Sequence, residues 1–352
     1  MQIINAGYQL LEEPNVTKKI ERVARICYKS EDKIAPGTDL TMVNKLIASQ
    51  HTAMLEHADI AIVVSRSNHS FIRQVMETMS TQCHDDIEPK NCYLRTTYHY
   101  TSDNFKGIPS YGQRYVVSGN IRAWHDFFKF SVEYPYGIQE DVFKTVNEAA
   151  NHIFDVFADG VGVVDGCSHF FRHGEEPQVA LVDDYTMLSD AERMVHETVS
   201  ILFTVDRGVT HEMVRHRDCS FAQESTRYCN YNLGKFGNEI TVIEPCFYAG
   251  RDDEYNAWVS AMEDAEKHYF DLINAGSKPQ EARDVLPTSV KAEIVMTTNL
   301  REWKHIFNLR ACDSTGPAHP QIKEVMIPAL KELRDKYLFA FGNLVAADEV
   351  KN

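Results

Sequence analysis

Two apolar runs limit what this chain can fold into. IAIVV, inside ADIAIVVS at 58–65, and VSILFTV, which leads to Asp206-Arg207-Gly208, are each bounded by polar residues. Neither approaches the ~20 apolar residues that cross a bilayer, so both read as strands of a globular core. The spacing around them is helical. NVTKKIERVARICYKS sets Ile20, Val23, Ala24 and Cys27 on one face, with Asn15 or Thr17 as cap. LTMVNKLIASQH and SFIRQVMETMSTQ read as two more helices. The fold class expected is α/β, as a mixed α+β arrangement.

Between residues 81 and 190 the pattern breaks up. The stretch holds a tyrosine-rich NCYLRTTYHYTS, read as a β-hairpin with cross-strand aromatics, and a helix in SGNIRAWHDFFKFSV, followed by EDVFKTVNEAANHIFDVFAD and the turn-rich GVGVVDGCS. It is expected as an elaboration inserted in a single catalytic domain covering 1–352, with a separate small domain as the alternative. Order returns with ERMVHETVSILFTV as a strand and VTHEMVRHR as a helix. An amphipathic helix from Asp253 is closed by Gly276, and the final helix, HPQIKEVMIPALKELRDKYLFAF, is expected to break at Pro328. One internal echo stands out: GNIRAWHDFF (119–128) and TNLREWKHIF (298–307) share N-x-R-x-W and a closing Phe. At ten columns it reads as two amphipathic helices with a common cap and tryptophan.

Charge excludes one class of function. Across 352 residues, 36 Lys and Arg face 51 Asp and Glu, a net charge of −15. Such a chain gains nothing from counterion release along nucleic acid, so any anion must be held by a local pocket. A regulatory nucleic-acid binder is disfavoured for the same reason. The opening residues lack a basic run followed by an apolar one, and the eight cysteines include no CxxC pair. The expectation is a cytoplasmic protein with reduced thiols, no membrane association and no metal. His169 and His173 beside Cys167, and CHDD at 83–86, lack a clear fourth ligand for zinc.

Against this acidic background, VRHRDCSFAQESTRYCNY (214–231) concentrates Arg215, Arg217 and Arg227 with Ser220 and Ser225. Planar guanidinium forks suit bidentate contacts with phosphate or a uracil-like imide; a solvated basic helix end is the plainer account. A second group comprises Arg283 in EARDVLP and Asn299, Arg301, His305 and Arg310 in TTNLREWKHIFNLRACDS. Arg301 and His305 lie at i, i+4 on a helix whose Trp303, Ile306, Phe307 and Leu309 are apolar. Guanidinium groups on a mostly buried helix need an anionic partner, and a ligand is favoured here over an internal carboxylate.

Arg215-His216-Arg217, seven residues, then Ser225 resembles the signature of the flavin-dependent thymidylate synthases. The likeness extends to LIASQHTAMLEH, DRGVTHEMVRHR, FAQESTRYCNY, EARDVLP and NLREWKHIFNLR, in order and over roughly half the chain. It implies a homotetrameric FAD-dependent methyltransferase that reductively methylates dUMP to dTMP, with methylenetetrahydrofolate giving the carbon and NADPH the hydride. Hydroxymethylation, or a related change to a pyrimidine deoxynucleotide, is the alternative. By the same resemblance Glu212, Arg215, Gln223, Glu224, Ser225, Arg227 and Arg283 bind dUMP. Arg310 lies on the pyrimidine, where it favours the ionised N3 and is the catalytic residue. His57, Arg215, His216, Arg217, Gln223, Asn299, Arg301 and His305 contact FAD, the Asn299–His305 stretch from a neighbouring subunit. His196 competes with His57 as the family histidine. Ala222, Gln223 and His305 depart from the familiar residues. Cys219 and Cys229 match no residue with a chemical role, and Ser225 is given a binding role.

Overall fold

Each apolar run becomes an interior strand of its own four-stranded sheet. The computed structural model describes residues 1–65, 71–72, 75, 94–101, 112–133, 138–161, 179–225, 231 and 238–350. Its strands are β1 (Gln2–Ile4), β2 (Gly7–Leu10), β3 (Asp59–Ser65), β4 (Arg95–Thr101), β5 (Gly112–Asn120), β6 (Val179–Leu181), β7 (Thr198–Asp206), β8 (Ser220–Gln223), β9 (Thr241–Ile243) and β10 (Lys291–Asn299). The longer helices are α1 (Val16–Tyr28), α2 (Thr38–Ala48), α3 (Ile121–Glu133), α4 (Glu140–Ala149), α5 (Asp190–His196), α6 (Arg207–Met213), α7 (Asp252–Asn274), α8 (Leu300–Arg310) and α9 (Pro320–Lys336). The fold is mixed α/β, as expected. Among the described residues no helix is long and apolar enough to cross a membrane.

The chain divides into two compact units. Unit 1 comprises Met1–Glu12, Arg22–Ile34 and Val199–Asn352, and unit 2 comprises Glu13–Glu21 and Ala35–Thr198. The stretch 81–190 lies inside unit 2, which begins well before it.

In unit 1 the sheet order is β2-β7-β10-β8, and β1 pairs in parallel with β9. Ile201, Phe203 and Val205 of β7 and Ile294, Val295 and Met296 of β10 are buried, as are Trp303, Ile306 and Phe307 of α8. Trp303 stacks on Phe307 at 5.3 Å between ring centroids. Its indole N–H donates to the Val199 carbonyl at 3.0 Å, so the buried ring leaves no polar atom orphaned. Helix α9 runs through Pro328 rather than breaking there. Its buried face, which includes Ile322, Val325, Met326, Leu330 and Leu333, outweighs the proline. Each such side chain contributes roughly 1.5–3 kcal/mol, against about 3 kcal/mol for the lost hydrogen bond and ring clash.

In unit 2 the sheet order is β4-β5-β3-β6, antiparallel throughout. The tyrosine-rich stretch forms the expected pairing, with Tyr98 opposite Tyr115. Trp124, Phe127, Phe128 and Phe154 are buried in its core. Two boundaries differ from expectation. Ser118-Gly119-Asn120 ends β5 instead of opening the helix, because the Asn120 side chain caps α3 by accepting from Ala123 N at 2.8 Å. The segment before β7 is helical: Ser189 and Glu192 form a capping box that starts α5. The expected helix at 70–82 is described only at Phe71, Ile72 and Val75, each helical and buried. Elsewhere the expectations hold closely. Asn15 caps α1 by accepting from Lys18 N at 3.1 Å, and Ile20, Val23, Ala24 and Cys27 are all buried. Helix α7 ends at Asn274, with Gly276 at φ 100° just beyond.

Candidate active site

Two strand-to-helix junctions in unit 1 build the candidate site. At the end of β7 the Asp206 carboxylate caps α6, accepting from Val209 N at 2.8 Å, while its other oxygen accepts from Gln321 Nε2 at 2.6 Å. Helix α6 carries Glu212 and opens into the Arg215-His216-Arg217 turn, which leads to β8. At the end of β10, Asn299 caps α8 by accepting from Glu302 N at 2.9 Å. Arg310 closes that helix.

Both junctions meet at Arg310. Its Nη1 donates to Glu212 Oε2 at 2.8 Å and its Nε donates to His216 Nε2 at 3.3 Å. Because Nε2 accepts, the imidazole is the neutral tautomer with its proton on Nδ1. Burial pushes the His216 pKa down to about 4, helped by the neighbouring Arg310 guanidinium and His305. The His216 and His305 rings meet edge to face at 6.4 Å. A permanent cation is thus held by one carboxylate and one neutral ring, and Arg310 and Glu212 both stay partly exposed. Arg310 therefore meets an internal carboxylate, where a ligand alone was favoured from sequence.

The other candidates fall into three groups. Arg215, Arg217, Arg283, Arg301 and His305 are exposed. The guanidinium of Arg301 is thus not buried on α8: the apolar stripe turns inward and Arg301 and His305 share the outer face. Gln223 is tied back to α6, its Nε2 donating to Thr210 Oγ1 at 3.1 Å. Glu224 is buried and serves an internal lysine network: Lys291 Nζ lies 2.9 Å away, and Lys29 bridges Glu224 and Glu293. Nothing in sequence spacing pointed to Lys29 or Lys291. Ser225 follows directly and is half-buried. Arg227 and Cys229 lie outside the described residues, as do Cys83 to Asp86, Cys167, His169 and His173.

The two candidate family histidines belong to unit 2. His57 is fully buried where the turn Thr52–His57 meets β3. His196 is buried with both ring nitrogens engaged, Nδ1 at 2.7 Å from Ser118 Oγ and Nε2 at 2.7 Å from Thr97 Oγ1. Burial, with Arg95 nearby, pushes its pKa down to about 3. Burial also pushes the Cys219 thiol up to about 12, so it stays protonated at neutral pH and is a poor nucleophile. Among the described residues no group of three or more His, Cys, Asp or Glu is placed to hold a metal ion.

Fold and site together define a mixed α/β protein in which two strand-to-helix junctions meet at one anchored arginine. The chain belongs to the thymidylate synthase complementing protein family, whose model matches residues 9–82 and 173–337. It is 33% identical over 150 residues to a flavin-dependent thymidylate synthase of Pyrococcus abyssi, covering 42% of this chain and 59% of that one. To the enzyme of the same name from Corynebacterium efficiens it is 31% identical over 148 residues, 40% of this chain and 58% of that one. The matched stretch thus spans less than two thirds of these relatives' length. A solved structure of a UMP/dUMP methylase, PolB from Streptomyces cacaoi bound with 5-Br dUMP, aligns at 20% identity over 43% of this chain and 74% of that chain. Its TM-score of 0.36 is too low to bear on the site.

Proposed function

We propose that this chain is a flavin-dependent thymidylate synthase: it methylates dUMP reductively to dTMP, with methylenetetrahydrofolate as carbon donor and NADPH as reductant. The observation that carries this reading is Arg310, a permanent cation fixed between Glu212 and neutral His216 in a chain of this family. Placed at a pyrimidine, such a group stabilises negative charge spread over N3 and its flanking carbonyls and so enriches C5.

The donor set fits a flavin dinucleotide. Arg215, Arg217, Arg301 and His305 offer exposed cationic or donor groups within unit 1, the chemistry a pyrophosphate needs. When bound, the flavin supplies the redox equivalents. The chain's own residues supply position. Asn299 fixes the head of the helix bearing Arg301 and His305, and His216 holds Arg310 in place without adding charge. Arg283, Arg227 and Ser225 are assigned to the dUMP phosphate. Glu224, spent on Lys291 and Lys29, sets the end of β8 so that Ser225 and Gln223 are presented. His57 is retained as a further flavin-side residue. Assembly as a cytoplasmic homotetramer, with α8 serving a neighbouring subunit's flavin, completes the proposal.

The purified protein should be yellow and release FAD on denaturation, and should form dTMP from dUMP only when both methylenetetrahydrofolate and NADPH are present. A colourless protein, to which added FAD does not bind, would sink this reading. Mass analysis of the product separates methyl from hydroxymethyl transfer.

A further inference from the structure

The two sheets match residue for residue. In unit 1 the edge strand β2 pairs with β7 through Tyr8↔Phe203, Gln9↔Leu202 and Leu10↔Ile201. In unit 2, β6 pairs with β3 through Val179↔Val64, Ala180↔Val63 and Leu181↔Ile62. In both, the next amide continues the ladder: Leu11 N donates to Ser200 O, and Val182 N to Ala61 O, each at 2.9 Å.

The hairpins repeat this agreement. Ser220↔Thr297, Phe221↔Met296 and Ala222↔Val295 in unit 1 have Arg95↔Ser118, Thr96↔Val117 and Thr97↔Val116 as counterparts in unit 2. Each hairpin's second strand ends in an asparagine that caps a helix, Asn299 for α8 and Asn120 for α3. Four residues on, each helix buries a tryptophan. The Trp303 indole donates to the Val199 carbonyl at 3.0 Å, and the Trp124 indole to the Ile60 carbonyl at 3.1 Å. Val199 stands three residues after His196, and Ile60 three after His57. A shared cap and tryptophan would not also reproduce edge-strand register, hairpin register and the accepting carbonyl. The echo at 119–128 and 298–307 is thus the visible part of a longer repeat.

The copies diverge where unit 1 carries its candidate site. Arg310 is matched by Ser131, whose hydroxyl turns back to its own helix and donates to the Phe127 carbonyl at 2.8 Å. His305 is matched by Asp126, which faces Arg122 at 3.8 Å and His125 at 3.1 Å. In unit 1 the chain leaves the hairpin at Gln223 and re-enters at Ile294, and that excursion carries Ser225, Arg227 and Arg283. In unit 2 the ladder runs on past Tyr98↔Tyr115 to Thr101↔Gly112, and the stretch of sequence joining those two residues is too short to hold their counterparts.

We infer that unit 2 is a second copy of the unit 1 fold that carries no nucleotide site, that each chain therefore carries one such site, and that residues peculiar to unit 1 hold the nucleotide. The repeat also separates two roles within α8. Asn299 and Trp303, having working counterparts in a copy without the site, are scaffold. Arg310 and His305, having none, belong to the ligand.

The nucleotide count rests on the function proposed above. Calorimetric titration of the full-length protein with dUMP is expected to give one equivalent bound per chain. Arg283→Ala, on the excursion peculiar to unit 1, should weaken that single class at least tenfold, while Asp126→Ala leaves it within twofold of the parent. Two equivalents per chain, or loss of binding in Asp126→Ala, would overturn the inference. A parent protein that binds no dUMP would instead defeat the nucleotide reading, and the repeat is then decided by amide exchange. The Leu11 and Val182 amides should both be protected at least a hundredfold over unstructured peptide, and free exchange of either would overturn the repeat.

Discussion

At the scale of single residues, Arg310 and Arg283 are both cations with different surroundings. Arg310 is fixed by Glu212 and His216, whereas Arg283 is exposed at the end of a short helical turn. An anchored charge acts on the reacting ring, and an exposed one acts on binding. Arg310→Ala should lower kcat on the order of 10²–10³ with FAD retained. Arg283→Ala should raise KM for dUMP, by a contact worth roughly 1.5–3 kcal/mol, with kcat little changed. Steady-state kinetics showing equal KM effects and normal turnover in both would contradict this division. The buried histidines set a pH response. His216 and His196 have folded pKa values of about 4 and about 3, both below the ordinary 6.5. The unfolded chain therefore binds more protons between those values and 6.5, and stability present above pH 6.5 is lost as pH falls through that window. Each pH unit well inside it costs about 1.4 kcal/mol per histidine. Denaturant unfolding from pH 7 to 4 should show this fall. His196→Gln, which removes one such group, should flatten the slope by up to one proton, and an unchanged slope would rule His196 out as a source.

At the scale of elements, helix caps decide where several boundaries fall, and they can be tested in pairs. Asn120→Ala and Asn299→Ala each remove one side-chain acceptor from a helix head and should each cost about 1 kcal/mol, read as matched shifts in denaturant midpoint. If one variant is neutral while the other costs several kcal/mol, the two caps are not equivalent. Caps also explain what could be read in advance. The α1 stripe and the strand at 58–65 follow from apolar spacing alone, and their burial matches. Helix α5 was hidden because MVH runs into the apolar strand, although the Ser189-x-x-Glu192 signal was there to be found. Pro328 misled because local propensity was weighed without the buried face that carries α9 through it. In the candidate site, residue types and order were legible, since Glu212, His216 and Arg310 stand in recognisable motifs. Their mutual contacts were not, because they join positions nearly a hundred residues apart. The lysines that neutralise Glu224 were equally invisible, Lys29 coming from the far end of the sequence.

At the scale of the molecule, unit 1 is discontinuous, and its early segments do more than extend it. Met1–Glu12 contributes β1, which pairs with β9, and β2, which covers the free edge of β7. Arg22–Ile34 contributes buried Val23, Ile26 and Cys27, and also Lys29, which joins Lys291 in balancing Glu224 and Glu293. A fragment of residues 199–352 keeps every described candidate site residue except the two family-histidine candidates, His57 and His196, yet loses all of these. Its β7 edge would be open, a row of unpaired backbone groups beside buried-type side chains. Glu224 would keep one lysine where it had two, and a buried carboxylate short of its counter-charge is strongly destabilising. We expect this fragment to show no cooperative thermal unfolding by circular dichroism, to bind a hydrophobic dye, and to hold no FAD. A sharp transition within a few degrees of the full-length protein would mean that the N-terminal segments are dispensable to unit 1.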